Sequence, residues 1–138
     1  MLKVLIADDH AIVRRGLKEI LQDAFETDLV VGEARDGREA LALARSQAWD
    51  VVVLDITMPH RNGVEVLEEL KVDMPTLPIV MLSMHSSLPY VLKSLKAGAA
   101  GYLNKETAPE ELVHAIQTVL GGGRYISRDL AQTLGSFL

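Results

Sequence analysis

Val51-Val52-Val53-Leu54-Asp55 is the stretch that decides the fold of this 138-residue chain. Four apolar residues in a row, with no polar alternation, make a strand buried on both faces, and such strands sit in parallel sheets covered by helices on either side. Upstream, the strand predicted at residues 2–7 has the same character and also ends in acid, at Asp8-Asp9. Between the two lie a helix over 12–25, a more exposed strand at 29–34 and a helix capped by Asp36 and carried by Ala40, Leu41, Leu43, Ala44 and Ala48. Downstream, Met58-Pro59 marks a loop over 56–62, and residues 63–71 read as a third helix. Pro75 and Pro78 precede a strand at 79–82, and Pro89 opens a fourth helix ending near Ala97-Gly98. Residues 100–103 form a fifth strand, and Thr107 and Glu110, at capping-box spacing, open a last helix to about 120. This alternation of strand and helix is the α/β pattern.

Gly121-Gly122-Gly123 is the clearest boundary. Residues 1–120 read as one domain and 121–138 as a linker, with Ser127 placed to cap a short helix holding Leu130 and Leu134. Nineteen acidic against fourteen basic residues give a net charge of −5, which argues against the chain gripping nucleic acid by itself. The absence of cysteine excludes disulfides, thiolate metal sites and cysteine catalysis. No apolar run approaches a membrane span and no signal-peptide layout precedes the first strand, so a cytoplasmic location is expected.

The chemistry concentrates at strand ends. Ligands of open α/β sheets bind beyond the carboxyl ends of the strands. With the first and third strands as neighbours, Asp8, Asp9 and Asp55 share one crevice. Two unit charges ~4 Å apart repel by ~4 kcal/mol at an effective dielectric of ~20, so such a set holds a proton or a cation. Oxygen ligands favour Mg²⁺. Taken singly, each acid is a turn former or a strand stop; it is their coincidence that points to a site. Ser83 and Lys105 close the fourth and fifth strands at the same edge and complete a set suited to accepting a phosphoryl group. The four histidines read as surface or helix-cap residues: a zinc site at His10, beside Asp9, would need more nitrogen or sulfur ligands than His60, His85 and His114 obviously supply.

Over residues 2–120 the chain resembles the receiver domain of bacterial two-component response regulators. The likeness rests on Val4-Leu5-Ile6-Ala7-Asp8-Asp9-His10, Val52-Val53-Leu54-Asp55-Ile56-Thr57-Met58-Pro59, Asn62-Gly63, Pro78-Ile79-Val80-Met81-Leu82-Ser83 and Lys96-Ala97-Gly98-Ala99-Ala100-Gly101-Tyr102-Leu103-Asn104-Lys105. It implies a flavodoxin-like (CheY-like) doubly wound sheet of five parallel strands in the order 2-1-3-4-5, with five flanking helices. It further implies that Asp55 accepts phosphate from a phosphohistidine on a sensor histidine kinase. Mg²⁺ would be held by the side chains of Asp9 and Asp55, the backbone carbonyl of Thr57 and, through water, Asp8. Lys105 would pair with the acyl phosphate, Ser83 would hydrogen-bond it, and Tyr102 would be the switch aromatic. A protein of this kind is itself the phosphoryl acceptor, losing its phosphate slowly, and phosphorylation promotes homodimerisation.

Gly121-Gly122-Gly123-Arg124-Tyr125-Ile126-Ser127 is similar to the junction of NarL/FixJ-type regulators, where a LuxR-type helix-turn-helix domain follows. The resemblance implies DNA contact only through such a domain, which is missing from these 138 residues, leaving an isolated or truncated receiver. Four departures stand out: Asn104 at a place often apolar, Glu106 where many receivers have proline, His60-Arg61 before Asn62-Gly63 with no acidic residue, and Met84 after Ser83, where smaller residues are frequent. Three rivals compete. A haloacid-dehalogenase-type phosphatase needs a second Asp where this chain has Thr57, and a flavodoxin-like cofactor carrier is opposed by Asp8-Asp9, which repel a phosphate. A pseudo-receiver serving only for binding is opposed by the complete acidic set with Lys105.

Overall fold

The computed structural model describes residues 1–59, 61–84 and 88–137, the last stretch without the side chains at 133, 136 and 137. His60 and His85 lie outside the described residues. Strands β1 (Leu2–Ala7), β2 (Leu29–Ala34), β3 (Val51–Asp55), β4 (Ile79–Ser83), β5 (Gly101–Asn104) and β6 (Tyr125–Ile126) alternate with helices α1 (Ala11–Phe25), α2 (Gly37–Ser46), α3 (Gly63–Asp73), α4 (Leu88–Lys96), α5 (Ala108–Leu120) and α6 (Arg128–Phe137). They form one sheet in the order β2-β1-β3-β4-β5-β6 with every pair parallel. The doubly wound order 2-1-3-4-5 expected from the sequence is present, extended by a short sixth strand and a sixth helix.

β3 behaves as its composition dictates: all five residues are buried, Val52 and Leu54 in one core cluster, Val51 and Val53 in the other. The first cluster lies under α2, α3, α4 and α6 and includes Leu41, Leu67, Val91, Tyr102 and Leu130. The second is closed by α1 and α5 through Leu17, Leu21, Leu112 and Ile116. The one tryptophan, Trp49, lies just before β3; its ring packs beside Gly32 of β2 and its indole N–H donates to the Leu43 carbonyl at 2.8 Å. Among the described residues, no helix is long and apolar enough to cross a membrane.

The residues read as a linker are structured. Ile126, Leu130 and Leu134 face the sheet side of the segment, and Leu130 is only 2% exposed within the first cluster. Two residues of β6 are too few to signal a strand in the sequence, and they pair with Gly101 and Tyr102 of β5.

Two expected caps work differently. Asp36 accepts the Glu39 N–H at 2.9 Å as an N-cap should. Thr107 does not form the side-chain cap of α5: its hydroxyl turns back to the Asn104 carbonyl at 3.3 Å, and Glu110 bonds to the Thr107 backbone oxygen. Ser127 precedes α6, but its side chain accepts the Asn104 N–H at 3.0 Å.

Candidate functional site

The parallel register sets the site. β1 and β3 are direct neighbours, with Ala7 opposite Leu54, so the acids that follow each strand emerge side by side. Asp8 is fully buried and Asp55 is 2% exposed, while Asp9 stays partly in solvent. β4 and β5 end beside them: Ser83 pairs with Asn104, and the Lys105 N–H donates to the Ser83 carbonyl at 2.9 Å.

Lys105 reaches back across the crevice. Its Nζ lies 2.8 Å from Asp8 Oδ2 and 2.9 Å from Asp55 Oδ2, and its side chain is 5% exposed. The bond to Asp55 is well aligned; the approach to Asp8 Oδ2 is a charge pair without hydrogen-bond alignment. The other Asp55 oxygen accepts the Thr57 N–H at 3.3 Å.

The loop between β3 and α3 folds tightly enough for this only because residue 63 is glycine. A Cβ there would collide with the Asp55 carbonyl and stand 2.8 Å from Ile56 Cα, while the Gly63 N–H donates to the Ile56 carbonyl at 2.7 Å. Asn62 caps α3 by accepting the Glu65 N–H at 3.0 Å.

Two contributors were not legible as site residues. His10 Nδ1 lies 3.1 Å from Asp8 Oδ1 and 3.2 Å from Asp9 Oδ1, and its backbone N–H donates to Asp8 Oδ1 at 2.8 Å. It precedes α1 without a side-chain capping bond, its ring being spent on the carboxylates. Arg14 donates to the Asp8 carbonyl at 2.7 Å while pairing with Glu33 of β2 at 3.1 Å, tying the acidic loop to the sheet edge. The i to i+6 step from Asp8 to Arg14 carries no sequence signature, and Glu33 lies nineteen positions further on.

The electrostatics follow. Burial, then the charge of Asp8, raise the Asp55 pKa from 3.8 to about 6, against the opposing pull of Lys105. Burial depresses the Lys105 ammonium pKa, but Asp8 and Asp55 together outweigh it and leave the net shift upward. Three carboxylates with one ammonium retain two negative charges, and one ligand atom from each of Asp8, Asp9, His10 and Asp55 lies within 4.8 Å of the others. An acidic set with two buried carboxylates, surplus charge and an ill-aligned buried oxygen fits a hard divalent cation, and the oxygen donors suit Mg²⁺.

Tyr102, on β5, is fully buried in the first core cluster. Burial raises its phenol pKa; the nearby Ser83 hydroxyl moderates this without forming a hydrogen bond of ordinary geometry to Tyr102 Oη. The ring thus lies inside the protein, with its hydroxyl near Ser83.

Residues 4–117 match the family model described as the response regulator receiver domain. The chain belongs to this family. The receiver is 42% identical over 134 residues to the response regulator UvrY of Escherichia coli (strain K12), covering 97% of this chain and 61% of that protein. It is 43% identical over 137 residues to the transcriptional regulatory protein UhpA of the same organism, covering 99% of this chain and 67% of that one. Among solved structures, a LuxR-family two-component response regulator from Aurantimonas sp. SI85-9A1 superposes with a TM-score of 0.90 at 35% identity, covering 97% of this chain and 95% of that one. The chain spans about three fifths of the length of UvrY.

Proposed function

We propose that this receiver takes a phosphoryl group onto Asp55 from a phosphohistidine on a sensor histidine kinase. The observation that carries the reading is Lys105, whose ammonium bridges Asp55 and Asp8 at the carboxyl edge of the sheet. An Asp55 oxygen attacks phosphorus, the P–N bond breaks, and the imidazole leaves with its electron pair and takes up a proton. Phosphoryl transfer asks mainly for alignment and neutralisation of the charge on the equatorial oxygens. Lys105 exchanges its carboxylate contact for the transferred group, Ser83 donates a hydrogen bond to it, and the buried floor under Asp8 limits water.

The side chains of Asp9 and Asp55 and the Thr57 carbonyl would hold Mg²⁺, with Asp8 acting through water, and the ion would supply charge neutralisation for the phosphate oxygens. Thr57 also holds the Asp55 carboxylate through its N–H. Esterification replaces a single charge with a larger, more negative group that draws Ser83 and Lys105, and Tyr102 packs behind them. The surface around α4, β5 and α5 is thereby biased between two states.

The altered surface promotes pairing with a second copy, through α1 and α5 or through the α4 face. Contact with DNA comes only through a C-terminal helix-turn-helix domain of the kind NarL/FixJ-type regulators carry, and the switch operates in the cytoplasm. Sedimentation with and without beryllofluoride tests the pairing, an unchanged profile refuting it. For the main reading, acetyl phosphate with Mg²⁺ should add one phosphoryl group by intact-protein mass spectrometry, slowly lost and absent in Asp55→Asn. Continuous release of free phosphate, or an adduct that survives Asp55→Asn, would refute it.

A further inference from the structure

We propose that the C-terminal segment β6–α6 positions Lys105 for phosphoryl binding, acting through Ser127 and Asn104. The inference rests on the reading of Lys105 as the cation that meets the phosphoryl group, and it assigns a role in that site to Ser127, which lies beyond the family match at 4–117, through Asn104, which lies within it.

Lys105 stands at the first position of the β5–α5 turn, and its Nζ must stay near two buried carboxylates. With Glu106 next, the turn has no proline to stiffen it, and all its peptide bonds are trans. Its rigidity comes from the preceding residue. Asn104 has every polar group engaged: its N–H donates to Ser127 Oγ at 3.0 Å, and its Oδ1 accepts the Glu106 N–H at 2.9 Å. Its carbonyl accepts the Thr107 N–H at 3.1 Å, and its Nδ2 donates to Asp129 Oδ2 at 3.3 Å. Two of these four partners, Ser127 and Asp129, belong to the C-terminal segment.

That segment is seated for the task. The Ser127 N–H donates to the Tyr102 carbonyl at 2.9 Å, so Ser127 grips β5 on both sides of Leu103. Ser127 is fully buried, which makes its hydroxyl an internal bond of the site wall. Leu130 anchors α6 in the cluster that holds Tyr102. Gly101 leaves the β5 edge bare where β6 docks; a Cβ there would stand 3.1 Å from the Tyr125 carbonyl. A buried strand edge, an unusual Asn and a buried Ser therefore converge one residue before Lys105. A shift of its backbone passes along a long side chain to an ammonium held at 2.8 and 2.9 Å from its partners. Misplacement by ~1 Å of a group in a reacting site costs on the order of a hundredfold in rate.

A purely structural tail would change stability and leave the chemistry alone; a positioning tail separates phosphoryl chemistry from cation binding. The test uses the full 138-residue chain with acetyl phosphate and Mg²⁺. Ser127→Ala removes the acceptor of the Asn104 N–H. Asn104→Asp keeps the acceptor for Glu106 and sets a carboxylate against Asp129. Each should slow phosphorylation by about tenfold while the Mg²⁺ dissociation constant, measured calorimetrically, stays within about twofold.

Wild-type rates in both Ser127→Ala and Asn104→Asp, with Lys105→Met slowed, would overturn this inference alone. Parallel loss of Mg²⁺ affinity and phosphorylation would also overturn it, marking a general loosening of the site. If Ser127→Ala does not fold, Asn104→Asp decides. A wild-type protein that takes no phosphate would bring down the functional reading and this inference with it.

Discussion

Asp55→Asn should stabilise the cation-free protein at neutral pH, and the gain should vanish on acidification. In the folded chain the carboxyl titrates at about 6 against 3.8 in the unfolded one, so the folded state binds this proton more tightly. The corresponding stability is fully present below about 3.8 and is lost as pH rises through about 6. At ~1.4 kcal/mol per unit, the ionised Asp55 opposes folding by about 3 kcal/mol at pH 8. Asparagine removes that charge and leaves Lys105 to pair with Asp8, but it satisfies the Thr57 N–H less well, returning about 1 kcal/mol. The expected net gain is about 2 kcal/mol at pH 8, or roughly 6 °C in Tm for a chain of this size. Urea unfolding by circular dichroism in a chelator, at half-unit steps from pH 4 to 8, measures it. Added Mg²⁺ should then raise the stability of the wild type more than that of the variant, because binding to the native state alone stabilises it by mass action. A difference between the two proteins that is flat across the pH range, or a variant less stable at pH 8, would refute the account of Asp55 as a carboxylate strained by burial and by Asp8.

Two further outcomes concern the loops around the acids. Gly63→Ala should destabilise the fold by about 2–3 kcal/mol and weaken Mg²⁺ binding, because the added methyl meets the Asp55 carbonyl and Ile56 backbone, which have no side chain to move aside; calorimetry and urea melts together check it, and unchanged Mg²⁺ affinity would count against the tight-loop argument. Met84 is 54% exposed beside Ser83, and if it screens the phosphate from water, Met84→Ala should lose its phosphoryl group faster, on the order of twofold, as followed by mass spectrometry. A wild-type decay rate would remove the screening role.

Elements announced by long apolar runs were legible. The run at residues 51–54 has no polar face, and that alone implies covering helices on both sides, which the structure supplies through two separate clusters. The acids and Lys105 were legible for the same reason, since a charge that abruptly ends a buried strand has few places to go. What escaped is non-local or very short. The ring of His10 turns to the carboxylates in place of capping α1, and Arg14 reaches both Asp8 and a distant Glu33, contacts that no spacing encodes. β6 holds two residues and gains its strand character only from the free edge of β5. Thr107 satisfied the capping-box pattern, yet the Asn104 carbonyl claimed its hydroxyl, a tertiary competitor that the local motif cannot foresee.

The location of Trp49 carries a practical consequence for anyone using light to follow this protein. The indole sits before the first residue of β3, whereas Asp55 is the last, so about 15 Å of rigid strand separates the fluorophore from the chemistry. Its emission will report whether the helix–sheet contact at Gly32 and Leu43 is intact and will stay silent while the opposite rim changes state. An optical sensor of signalling in this chain therefore has to be engineered at the far rim, with the native indole kept as an internal standard for foldedness.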